Sequence, residues 1–203
     1  MDWSWLGYTS YADQCILDWV KMQLWVQKDR IILSGFSLGT EPMMVLGILN
    51  PDIFAFVYND FLCRTLERTR VMTMPNANGT RLAPNSIRHL IPGFWQQFDF
   101  PDIIAALAPR PVICTEGGLD RDFKLIEKAY RTAEVPDHFQ YHHQPRFSDA
   151  SRRWQGDRLP GGLDRNAFFR LVNVDPGNHF FKKDLVISWI NALLTPASEK
   201  KRP

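Results

Sequence analysis

Apolar residues between positions 11 and 27 recur at intervals of four: Ala12, Ile16, Val20 and Leu24, with Trp19 beside them. Asp13, Asp18, Lys21, Gln23 and Gln27 fall mostly off that stripe, the pattern of an amphipathic helix. After a polar turn at Lys28–Arg30, the segment Arg30–Ser34 reads as a short buried strand. Thr40–Leu49 reads as a helix, with Pro42 in its first turn, where a missing N–H costs little. Phe54–Tyr58 and Pro111–Thr115 are two further strand-like runs, and His138–His143 alternates weakly as a fourth. Helices are predicted over Asp102–Leu107, with Asp102 as cap, over Phe123–Ala133 and over Leu185–Leu194. Residues 61–100 carry Pro75, Asn76, Asn78, Gly79, Pro84 and Pro92 and read as loop, as do residues 145–165. A loop that long inside a compact domain is usually functional or an insertion. Strands alternating with helices predict an α/β protein, a parallel sheet flanked by helices with right-handed crossovers. One domain is expected over residues 1–195, followed by a disordered tail over 196–203.

Composition narrows the class. Hydrophobic residues make up 45% of the 203 and charged residues 23%, which excludes a disordered or collagen-like chain. A net charge of +2 with interspersed signs argues against nucleic-acid binding, which would gather Lys and Arg into a stripe. The basic cluster Lys200–Arg202 falls in the expected tail. Cys15, Cys63 and Cys114 have no spacing that suits zinc, so no metal is expected. No phosphate loop or dinucleotide fingerprint is present, so no cofactor is expected either. The first residues lack a basic, then apolar, leader pattern, and no apolar run is long enough to span a bilayer. A cytoplasmic default follows for this chain, without fixing the compartment of a longer parent.

The chemistry concentrates at Gly35-Phe36-Ser37-Leu38-Gly39, a G-x-S-x-G pattern with a strand before it and a helix after it. A chain turning that sharply strains the serine backbone, and its neighbours two residues away must be small. The Ser37 hydroxyl then stands at a helix N-terminus, where free N–H groups favour developing negative charge. The bland alternative is a glycine turn with an incidental serine. A serine hydroxyl needs a base, and the base needs an orienting carboxylate. In this fold the chain order is serine, acid, histidine, each following a strand. For the acid, Asp120 follows the run 111–115 in a glycine turn. Asp122 lies two residues on, and Asp60 follows the run 54–58. For the base, His179 precedes the last amphipathic helix, with His142 and His143 after the fourth strand as rivals. His89 sits in the long loop and His138 at a strand start; a lone histidine or aspartate is more often structural. Phe94, Trp95 and Trp154 are candidates for stacking on a ligand ring, although aromatics more often serve the core.

Together with Leu107-Ala108-Pro109-Arg110-Pro111, Glu116-Gly117-Gly118-Leu119-Asp120 and Asn178-His179-Phe180-Phe181, the strand and elbow at 30–39 resemble the α/β-hydrolase superfamily. More narrowly they look like the acetyl xylan esterase-like and dienelactone hydrolase-like branch. The resemblance implies Ser37 as nucleophile, Asp120 as acid, His179 as base and the Leu38 N–H as an oxyanion donor. It implies acyl transfer from a small ester or acylated carbohydrate, with no nucleic-acid or membrane partner. Members of that superfamily carry about four strands before the elbow strand, for which residues 1–29 have no room. A partial hydrolase fold lacking the N-terminal strands is therefore expected, with a bare sheet edge. That edge predicts self-association or a missing N-terminal half, and the alternatives to an active esterase are an impaired remnant or a non-catalytic binding domain.

Overall fold

The computed structural model describes residues 4–72, 75, 78–80 and 93–195. Among the described residues its sheet has four strands in the order β1 (Ile32–Phe36), β2 (Ala55–Asn59), β3 (Val112–Cys114), β4 (Phe139–Tyr141). All three pairings are parallel. Eight α-helices surround it among the described residues: α1 (Trp5–Met22), α2 (Thr40–Leu49), α3 (Thr65–Met72), α4 (Phe94–Gln97), α5 (Phe100–Ala105), α6 (Asp120–Thr132), α7 (Arg165–Leu171) and α8 (Lys183–Leu194). The predicted parallel sheet flanked by helices is therefore present.

Period-two alternation assigns each strand residue to a face. Phe56, Tyr58, Val112 and Cys114 join Leu17, Met44, Ile104, Phe123 and Tyr130 in a core roofed by α1, α2, α5 and α6. Ala55, Val57 and Ile113 face the other way, onto Val186 and Trp189 of α8. Both faces are covered, so the central strands read as unbroken apolar runs rather than alternating ones. A third cluster, Phe61, Cys63, Leu119, Phe168, Phe169, Val172 and Val174, is separate from these two cores.

Several boundaries differ from the sequence reading. Helix α1 spans Trp5–Met22, not 11–27, because the Ser4 hydroxyl caps it by accepting from the Gly7 N–H at 3.0 Å. Its buried residues are Leu6, Ser10 and Leu17, while Ile16, Trp19 and Leu24 of the predicted stripe, or just beyond it, are exposed. The cap of α5 is Asp99, and Asp102 closes the capping box by accepting from the Asp99 N–H at 2.8 Å. Helices α3, α4 and α7 lie in or at the edge of segments read as loop; α7 is capped by Asp164, which accepts from the Ala167 N–H at 2.7 Å. The Ala-Pro-Arg-Pro motif has a structural reason. The Arg110 guanidinium donates to the Gly47 and Asn50 carbonyls at 2.7 and 2.8 Å and lies over Phe56, so it closes the C-terminal end of α2.

No described helix is long and apolar enough to cross a membrane. Strand β1 is an edge of the sheet. Beside it lies a groove lined by Ile16, Leu17, Val20, Leu33 and Met43, and Trp5, Trp19 and Met22 of α1 are exposed.

Candidate active site

β1 runs straight into a tight 3₁₀ turn at Ser37–Gly39 and then into α2. Ser37 adopts φ +53°, in the left-handed region that a side-chain-bearing residue enters only under strain. The Thr40 hydroxyl donates to the Ser37 carbonyl at 2.7 Å and braces the turn. A Cβ on Gly35 would lie 2.5 Å from Thr40 Cα and 2.6 Å from the Gly39 carbonyl oxygen, so the close approach of strand and helix requires glycine there. A Cβ on Gly39 would meet nothing within 4 Å, so the expected need for two small residues holds on one side of the serine only.

His179 follows the turn Pro176–Asn178, which Asp175 caps by accepting from the Gly177 N–H. Its Nδ1 lies 2.5 Å from Glu116 Oε2. A carboxylate only accepts, so this contact assigns the proton to Nδ1 and leaves Nε2 as the basic nitrogen. Glu116 is 1% exposed. Its other oxygen, Oε1, accepts from the Phe180 N–H at 3.1 Å and lies 3.0 Å from Lys182 Nζ. The Phe36 ring stacks on the imidazole with centroids 4.9 Å apart. Buried Asn59, at the end of β2, donates to the Phe180 carbonyl and accepts from the Lys182 N–H at 2.7 Å. The histidine loop is thereby tied to the sheet. Ser37, Leu38 and His179 line one pocket of about 480 Å³, together with Asp60, Phe61, Arg68, Arg165, Asn166, Phe169, Val174 and Pro176.

The carboxylate beside His179 belongs to Glu116, not to Asp120. Asp120 opens α6, with Oδ1 3.0 Å from His143 Nε2 and Oδ2 3.1 Å from Arg153 Nε. Asp122 is fully buried and accepts from Arg64 at 2.8 Å, away from the pocket. Asp60 does line the pocket; its Oδ2 pairs with Arg68 at 3.0 Å, and its buried Oδ1 has no hydrogen bond among the described residues. His142 donates its backbone N–H to Cys114 and lines a different pocket with Thr115 and Lys183. His143 meets the Phe123 ring edge-on. Burial depresses both of these histidines below the ordinary range, and Arg153 adds to this at His143. His138 contacts the Pro109 carbonyl at 2.7 Å. His89 and the side chains of Phe94 and Trp95 lie outside the described residues, and Trp154 packs against the Phe168 cluster.

Sequence reasoning passed over Glu116 because it took the whole of 116–120 as one turn. The two glycines carried the missing signal. Gly117 and Gly118 have φ of +80° and +150°, and a Cβ on Gly118 would lie 2.7 Å from the Leu62 carbonyl oxygen. They turn the chain sharply after Glu116, so that carboxylate stays at the sheet end while Asp120 is carried onto α6.

Asp60, Glu116 and His179 offer donor atoms all within 4.8 Å of one another, a spacing a cation could use. Arg68 and Lys182 already neutralise the two carboxylates, so the set reads as an ion-pair network.

Beside this network Glu41, 2% exposed on the first turn of α2, has its carboxyl pushed up to about 7, first by burial and secondarily by Asp60 and Asp99, against Arg68. In the unfolded chain it would titrate near 4.5. The fold therefore holds this proton more tightly, and the stability it contributes is complete below pH 4.5 and lost as pH rises through 7. The loss is on the order of 3 kcal/mol. Melting temperature is expected to fall between pH 5 and pH 8, and Glu41→Gln to flatten that fall. Parallel curves for the two proteins in thermal melts would exclude Glu41 as the source.

The strand, strained serine, helix and following histidine define an α/β-hydrolase arrangement. The chain belongs to the Abhydrolase family, whose model matches residues 1–192. It is similar to the crystal structure of a Bacteroides fragilis protein provisionally described as an acetyl xylan esterase, at 60% identity and a TM-score of 0.88. That match covers 96% of this chain and 50% of the other, so the chain spans about half the length of its relative. Weaker likenesses are to a carbohydrate esterase family 15 glucuronoyl esterase from Caldicellulosiruptor kristjansonii and to a methylesterase. The first has 18% identity and a TM-score of 0.46, covering 69% of this chain and 45% of that one; the second has 16% and 0.47, covering 95% and 47%. No curated protein gives a significant match.

Proposed function

We propose that this chain carries the nucleophile, base and acid of a serine carboxylic-ester hydrolase acting on small acetyl esters, acetylated carbohydrate among them. One observation carries the reading: a strained Ser37 shares a pocket with His179, whose Nδ1 is held by buried Glu116. Ser37 Oγ attacks the ester carbonyl as His179 Nε2 takes its proton, and Glu116 stabilises the resulting imidazolium. The Leu38 N–H, next after the nucleophile, donates to the oxyanion. The leaving alcohol takes the proton back from His179. Water, activated by the same nitrogen, then releases the acid and restores Ser37. Glu116 replaces Asp120 as acid in this scheme, and Asp60, which lines the same pocket, is the alternative. Phe61, Phe169 and Val174 offer the acyl group an apolar wall.

The test is acetate release from 4-nitrophenyl acetate and from acetylated xylan by the folded chain, with Ser37→Ala beside it. Release that disappears in the variant supports the reading. A second reading, a remnant without turnover, draws on the half-length match to the Bacteroides fragilis protein. It would be favoured by a folded chain that releases no acetate above the variant.

A further inference from the structure

Lys182 stands three residues after His179, next to the triad rather than in it. Its ammonium lies 3.0 Å from Glu116 Oε1, donates to the Asn178 carbonyl, and sits 3.5 Å from the centroid of the Phe180 ring. Its side chain is only 12% exposed. A lysine is costly to bury and loses rotamer freedom when fixed, so holding it at three points is a specific arrangement. Its own backbone is fixed as well, because its N–H donates to Asn59 Oδ1.

Consider what Glu116 would do without it. The carboxylate would keep the Phe180 N–H on Oε1 and His179 on Oε2. A carboxylate held by neutral donors alone can rotate about its terminal torsion, which is broad and roughly two-fold. With the ammonium on Oε1, rotation breaks a charge-assisted contact, and Oε2 stays on the imidazole. We propose that Lys182 is a positioning residue, which clamps Glu116 so that its second oxygen stays on His179. This rests on Glu116 being the acid of the proposed triad.

Two effects of removing the clamp pull apart. The plateau rate falls, because misplacement by about 1 Å can cost about 10²-fold. The acid limb of the pH–rate profile moves to higher pH, because one cation facing the acid–base pair is gone and the pair binds a proton more easily. Among the described residues, the other charged groups lining the pocket with His179 are Asp60, its partner Arg68 on α3 and Arg165 on α7, and they are unchanged. A merely structural lysine would lower melting and leave the limb where it was.

The experiment measures the rate of fluorophosphonate labelling of the full chain from pH 5 to 9. It compares wild type, Lys182→Met, Lys182→Arg, Glu116→Gln and the double variant Glu116→Gln/Lys182→Met, with a melting curve for each. Lys182→Met is expected to lower the plateau about 10–100-fold and to raise the acid limb by about half a unit or more. Lys182→Arg should recover most of the rate, and it decides the matter if the methionine variant fails to fold. In the Glu116→Gln background, Lys182→Met should change the rate less than about threefold, since the two act as one unit. An unchanged plateau and limb in a folded Lys182→Met, or an equal loss in both backgrounds, overturns the clamp. Labelling of Glu116→Gln at the wild-type rate is a different result and overturns the triad reading beneath it.

Discussion

Replacing Glu116 by glutamine is expected to lower kcat/KM for an acetyl ester by about 10³–10⁴-fold while the chain stays folded. The amide has nearly the same shape, but it cannot stabilise the imidazolium that forms when Ser37 loses its proton. Turned with its NH₂ toward His179 Nδ1, it also favours the wrong tautomer, with the proton on the nitrogen that should act as base. Asp120→Asn should behave in the opposite way. Its carboxylate faces Arg153 and His143, so the variant should lose a few degrees of melting temperature and keep most of its rate. Asp60→Asn is the control for the alternative acid. Steady-state kinetics on the three variants, with a melting curve for each, separates the assignments: the largest loss of rate without loss of fold marks the acid.

Gly35→Ala is expected to cost at least about 3 kcal/mol, or roughly 8 °C or more in melting temperature, and to remove activity with it. The added methyl would meet the backbone of Gly39 and Thr40 at 2.5 to 2.8 Å, and backbone cannot step aside as a flexible side chain can. Relief would come only by opening the angle between β1 and α2, which also moves Ser37 out of its left-handed conformation. Gly39→Ala has open space and φ −69°, so it should melt within about 1 kcal/mol of wild type. Similar melting for the two alanine variants would contradict this account of the elbow.

Much of the sheet was legible because its signals are local. Runs such as Phe54–Tyr58 and Pro111–Thr115 are apolar on both faces, and only a strand covered on both sides tolerates that. The elbow was legible too, since its spacing reflects a steric demand, although that demand falls on Gly35 alone. The placement of His179 just before α8 was legible as well. The buried face of α1 was misread: Ile16 and Trp19 are apolar yet exposed, so hydrophobicity alone picked the wrong stripe. Helix α7 went unseen because its Phe169 packs on Phe61, a contact made between distant parts of the chain. That Glu116 is the carboxylate beside His179 was not legible for a related reason. Choosing among acids within five residues of each other needs the direction of each side chain, which here depends on two glycines at positive φ.

Mass-spectrometric mapping of the site modified by a fluorophosphonate on the folded chain tests the central claim most directly. A single adduct on the peptide containing Ser37, abolished by His179→Ala, is the predicted result. No adduct on Ser37 in a chain shown by circular dichroism to be folded, or an adduct that persists in His179→Ala at the wild-type rate, would contradict it.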